Sequence, residues 1–144
     1  MKGQDPLVGH VISTAFSAAL IIALIAITAH VKETHQKFIG GMEADEVCAI
    51  IKSSAGRFVF DSNYVSPNNT VAGRLYVNLP RTIGGEAYRI RFIGRNASVE
   101  SAVVNTTCAM GYNATYAGSV SGGRASVSVI RTPEGGTRVE MTSA

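Results

Sequence analysis

The sequence predicts an α+β protein. A long N-terminal hydrophobic helix continues, after a Gly-Gly kink, into an amphipathic helix packed on a C-terminal antiparallel β-domain of five to six strands. Three observations predict it. From Leu7 to Ala29 the chain contains no Asp, Glu, Lys or Arg. Between Ala44 and Ala55 apolar residues recur at helical spacing. Beyond Gly56 the pattern changes to alternation punctuated by paired glycines, the signature of short strands and turns.

The apolar run comes first. At about 1.5 Å per residue it makes a helix of roughly 35 Å, enough to cross a hydrocarbon core of about 30 Å. It is too long for a secretory signal, and it passes directly into His30-Val31-Lys32-Glu33 without a small-residue cleavage site, so it is expected to stay in the mature protein. Lys2 opposes Lys32 and Lys37 across the span, which leaves orientation undecided by charge. Within the run, Gly9, Ser13 and Ser17 recur at i, i+4, as do Ala15, Ala19 and Ala23. Two such stripes let helix backbones approach closely and point to helix packing in an assembly; the alternative is that Ala and Ser are simply common in membrane helices.

From His30 to Ile39 the chain turns polar while keeping helix formers, and Gly40-Gly41 then marks the kink. Glu43, Asp45 and Glu46 supply acids for a helix start. Ala44, Cys48, Ile51 and Ala55, with Val47 beside them, form one apolar face, with Glu43, Asp45, Glu46 and Lys52 off it. In the β-region Leu75, Val77 and Leu79 alternate in one strand, and Tyr88, Ile90 and Phe92 in the next, with Pro80 to Gly85 as the turn. Arg89 and Arg91 share the opposite face of their strand, either as solvated positions or to meet an acidic neighbour or a surface polymer. Ala97 to Val104, Ala114 to Val120, Ala125 to Ile130 and Thr137 to Met141 follow as strands, the last two joined by the turn Thr132 to Gly136.

Composition narrows the function. The chain of 144 residues is 46% hydrophobic, which is a folding composition, and removing the helix leaves roughly 110 residues, enough for one small domain. Its 13 basic and 10 acidic residues are spread along the chain, so nucleic acid is not an expected partner. The cysteines, Cys48 and Cys108, have no zinc or haem spacing; in a domain outside the cell they are expected to form a disulfide, the alternative being two small buried side chains. Asn68, Asn96, Asn105 and Asn113 head N-x-Ser/Thr sequons, where about one would arise by chance from seven Asn. All lie beyond the helix, which places the β-domain in the compartment where N-glycans are attached; the alternative is ordinary turn and strand residues. No nucleophile elbow, P-loop, His-Glu-x-x-His or dinucleotide fingerprint occurs, and His10, His30 and His35 all lie in or beside the membrane helix. No catalytic residue, metal ligand or cofactor is therefore expected.

The run Lys2-Gly3-Gln4-Asp5-Pro6-Leu7-Val8-Gly9, followed at once by the apolar helix, resembles the N-terminus of archaeal type IV pilin-like proteins. In that family a membrane peptidase removes a short basic leader ending in Gly, which here implies cleavage between Gly3 and Gln4. Many pilins carry Glu at the fifth mature position, where this chain has Val8. The stretch GRLYVNLPRTIGGEAYRIRF is similar to a strand-turn-strand unit of pilin-like archaeal envelope proteins. The resemblance implies a leader over 1–3, an assembly helix with its juxtamembrane extension over 4–39, an amphipathic helix over 42–56 and a head domain over 57–144.

It further implies a structural filament subunit whose partners are copies of itself through the N-terminal helix and the membrane before assembly. Surface-layer or cell-surface glycans are a further partner class. The location is the cell envelope, either membrane-anchored or in an extracellular filament, with the β-domain outside. The alternative is a membrane-anchored envelope protein of the archaellum-stator type that binds the surface layer or a filament; a tethered enzyme or receptor domain is a third.

Overall fold

The computed structural model describes residues 5–61, 64 and 66–144, with side chains placed for 8–59, 64 and 66–144. One helix, α1 (Asp5–Asp61), is followed by seven strands: β1 (Thr70–Leu79), β2 (Tyr88–Ile93), β3 (Asn96–Ser101), β4 (Asn105–Ala109), β5 (Thr115–Ser121), β6 (Gly123–Arg131) and β7 (Thr137–Ser143). Contacts divide the chain into two compact units, Met1–His35 and Gln36–Ala144. The second, the head domain, holds nearly half of α1, from Gln36 to Asp61, and the whole sheet.

The α+β class holds, with three differences from expectation. First, α1 runs through Gly40-Gly41 without a break and passes Gly56 to end at Asp61, so the two expected helices are one. Gly40 serves close packing: a Cβ there would lie 2.8 Å from Val104 Cγ2 and 3.4 Å from Val103 Cγ2, with the Gly84 backbone at 3.6 Å. A glycine chosen for contact leaves the helical hydrogen bonds intact, and its propensity cost of about 1 kcal/mol is small beside the packing it permits. Secondly, there are seven strands. Ala97 to Val104 divides after Ser101, where the Ser101 hydroxyl accepts from the Val103 and Val104 amides, and β4 emerges beyond it. Thirdly, the sheet is mixed. Its order is β1-β6-β7-β5-β2-β3-β4, and β5 pairs parallel to β7 while the other pairs are antiparallel.

The core is built as alternation requires. Gly40, Ala44, Val47, Ile51 and Ala55 are buried along one side of α1. The last four belong to one cluster with Val77 and Leu79 of β1, Ile90 and Phe92 of β2, and Val127 and Val129 of β6. Glu43, Asp45 and Glu46, expected at a helix start, lie inside α1: Asp45 and Glu46 are exposed, whereas Glu43 Oε2 accepts the Gly84 amide at 2.6 Å and fastens the β1–β2 loop to the helix.

Tyr88 closes the same end. Its hydroxyl donates to the Pro80 carbonyl at 2.7 Å, and burial pushes its pKa from 10 up to about 12. The fold thus favours the protonated phenol, so this contribution to stability is whole below pH 10 and lost as pH rises towards 12. The urea midpoint is expected to fall across that window, and to fall less steeply in Tyr88→Phe. Some slope remains, because burial also raises Tyr116.

Candidate functional site

The first candidate is the free half of α1. Eleven large apolar side chains between Val8 and Val31 are each at least half exposed, Phe16 to 72% and Ile22 to 68%. At about 1 kcal/mol or more each, leaving these in water would forgo more than ten kcal/mol, comparable with the whole stability of a small domain. This surface therefore needs an apolar surrounding. The helix is long and apolar enough to cross a membrane. Its hydroxyls suit that setting, since Thr14, Ser17, Thr28 and Thr34 each donate to a carbonyl four residues earlier in the same helix. Gly9, Ser13 and Ser17 follow one line along this segment, and Ala15, Ala19 and Ala23 another; all six are exposed, with no heavy atom within 4 Å of a Cβ placed on Gly9. Gly3 and Gln4, the expected processing point, lie outside the described residues.

In the head domain Cys48 of α1 and Cys108 of β4 are bridged, with their Cα atoms 5.8 Å apart. β4 is the last strand in the sheet order. The bridge therefore ties an edge to the helix.

The four sequon asparagines are all exposed. The strand registers place three of them at one end of the sheet: Asn68 before β1, Asn96 at the β2–β3 turn and Asn113 before β5. That is also the end where α1 finishes, since a Cβ on Gly56 would strike Tyr112 and one on Gly73 would strike Phe58. Asn105 lies at the opposite end, beside Val103 and Val104 and the Gly40 contact. The Asn113 side-chain oxygen accepts from Arg95 Nη2 at 2.8 Å. Thr70, Thr107 and Thr115, the hydroxyl residues of three sequons, are exposed, but Ser98, that of the Asn96 sequon, is buried and donates to Glu100.

The side of the sheet turned away from the core was not expected to stand out. Arg74, Arg89, Arg91, Arg124 and Arg138 come from four strands and all point there, interleaved with serine and threonine. In the sequence they are scattered; alternation within each strand was the available signal, and only Arg89 and Arg91 were read by it. Arg124 stacks on the Tyr76 ring at 4.8 Å, Arg74 Nε donates to Ser128 at 3.2 Å, and Arg138 pairs with Glu140 at 2.7 Å.

Near the three clustered sequons a cavity of about 440 Å³ is lined by Val59, Tyr112, Asn113, Arg131 and Thr137 among others. Tyr116, buried at this end, has a hydroxyl with no hydrogen-bond partner, an arrangement that typically costs about 1–3 kcal/mol. Among the described residues no three His, Cys, Asp or Glu side chains converge as a metal-holding group.

A family model described as a family of unknown function (DUF7266) matches residues 2–142. No curated protein and no solved structure matches the chain.

Proposed function

The chain belongs to the DUF7266 family, of unknown function, and from its own residues we propose that it is a structural subunit of an extracellular, archaeal type IV pilus-like filament. The N-terminal helices bundle into the core, and the β-domains, glycosylated at Asn68, Asn96, Asn105 and Asn113, form the surface. One observation carries this reading: α1 from Val8 to Val31, which contains no Asp, Glu, Lys or Arg, exposes large apolar side chains along its length yet keeps two lines of small residues. A lipid bilayer satisfies the first property. Copies of the same helix satisfy both, since Ala and Gly let neighbours approach while Ile, Leu and Phe fill the gaps. The exposure of all four sequon asparagines fits a domain that meets the glycosylation machinery.

A second reading rests on Val8. Where pilins carry a Glu that links subunits, this chain offers an apolar side chain. A membrane-anchored envelope protein of the archaellum-stator type needs no such link. Electron microscopy of native material separates the two. Helical filaments, with an intact mass lacking the first three residues, support the subunit. An unprocessed monomer or dimer in detergent that binds envelope material supports the anchor.

Ala19→Leu is expected to insert into membranes normally but to assemble poorly. Overpacking of about 1–3 kcal/mol, repeated in every copy, raises the concentration needed for assembly roughly tenfold or more. Filament yield measured against membrane-fraction abundance checks this, and wild-type filaments from that variant would rule out the small-residue interface.

A further inference from the structure

We propose that the outer face of the sheet, the side turned away from α1, binds an acidic polysaccharide. The charge is the first reason. Five arginines stand on this face against two acids, Glu100 and Glu140, a surplus equal to the formal net charge of +3 carried by the whole chain. The basic excess of the protein is thus gathered on one surface. Every basic residue there is arginine, while the four lysines all precede the sheet, at 2, 32, 37 and 52. The guanidinium fork matches a carboxylate or sulfate in two parallel hydrogen bonds, which a lysine ammonium cannot do.

The arrangement between the arginines is the second reason. Tyr76 of β1 is partnered by Ser126 of β6, and that by Thr142 of β7. On the other side of the parallel seam, Arg91 of β2 has Ser119 of β5 and Ser98 of β3 as neighbours, with no acid across either pairing. From β1 to β2 is four strand spacings, roughly 19 Å, so the surface spans several sugar residues. Ser119 and Thr142 are exposed, and a hydroxyl both donates and accepts, which suits ring hydroxyls, whereas Ser98 and Ser126 are buried. Tyr76 is 53% exposed with Arg124 over its ring, and it borders a groove of about 300 Å³ shared with Arg74, Ser126 and Glu140. An exposed aromatic ring set among polar groups offers an apolar platform to the C–H face of a sugar. An acidic polypeptide of equal charge would use the arginines but not this combination of ring and hydroxyls.

The proposal stands whether or not the helix assembles, so it is tested on the full chain in detergent. Binding of decagalacturonate is measured by titration calorimetry at low and moderate salt, beside neutral dextran, decaglutamate and a ten-nucleotide oligothymidylate. Decagalacturonate is expected to bind, more weakly as salt rises, and neutral dextran not to bind. Arg91→Glu should weaken binding roughly tenfold or more, and Tyr76→Ala roughly fivefold, with decaglutamate unaffected by the second change. Both side chains are exposed, so unchanged unfolding midpoints show that the variants fold. No binding of decagalacturonate, equal binding of decaglutamate or the oligonucleotide, or insensitivity to Arg91→Glu would each overturn the proposal.

Discussion

Gly118→Ala is expected to abolish the native head domain, or to lower its stability by about 3 kcal/mol or more. Gly118 sits in β5 at φ +102°, a region L side chains rarely adopt, and it is the partner of Met141 in the parallel pairing with β7. An added Cβ would come 2.1 Å from the Met141 carbonyl oxygen and 3.1 Å from its carbon. The obstacle is backbone in a paired strand, so no rotamer change relieves it. The backbone strain alone costs about 1–3 kcal/mol, and removing the clash requires the two strands to part. The position makes that serious. β1, β6 and β7 form one antiparallel group and β5, β2, β3 and β4 another, and the β5–β7 pairing is the seam between them. Parting it separates the buried Tyr116 and Val120 from Val139 and Met141. Gly123→Ala is the control: φ is +116° there, but nothing lies within 4 Å of an added Cβ, so only the strain remains. Denaturant unfolding followed by near-ultraviolet circular dichroism should show Gly118→Ala far below Gly123→Ala. Equal midpoints would show that the seam yields easily.

That seam illustrates what the sequence hides. Alternation reveals a strand and the face it buries, which is why Leu75, Val77, Leu79, Tyr88, Ile90 and Phe92 were legible. It says nothing of strand direction, because parallel and antiparallel partners ask for the same inward residues. β7 follows β6 through a tight turn, as the Thr132 to Gly136 segment indicates, yet it inserts between β6 and β5 and so runs parallel to β5. β4 was hidden for a different reason. Asn105, Thr106 and Thr107 carry no apolar alternation, and this last strand in the order is held by Thr106, Cys108 and Met110. On α1, the face from Ala44 to Ala55 was read correctly, but Gly40-Gly41 reads as a breaker until the side chains of Val103 and Val104 are seen against it. The same limit applies to the surfaces. Sequon positions are read directly, whereas the arginines are dispersed over sixty-odd residues and converge only once five strands lie side by side.

The second large effect concerns the edge. Cys48→Ser, Cys108→Ser or reduction of the wild-type chain is expected to destabilise the head domain by about 4 kcal/mol. The bridge spans 60 residues, and in the chain-entropy account a closed loop of that length removes roughly 4 kcal/mol of disorder from the unfolded state. Local context adds to this. β4 pairs only with β3, through Asn105 to Ala109, and Thr106 and Cys108 are only partly buried. Without the covalent tie this strand relies on five backbone pairings at the margin of the sheet. Loss should therefore start locally. Hydrogen exchange is expected to show the β4 amides losing protection first in Cys48→Ser, with β6, flanked by β1 and β7, protected until global unfolding. If reduction leaves the midpoint and the β4 protection unchanged, the bridge is dispensable and packing around Met110 and Val99 holds the edge. A chain that depends on the bridge at this level is matched to an oxidising compartment, which is the side of the membrane on which the filament reading places the head domain.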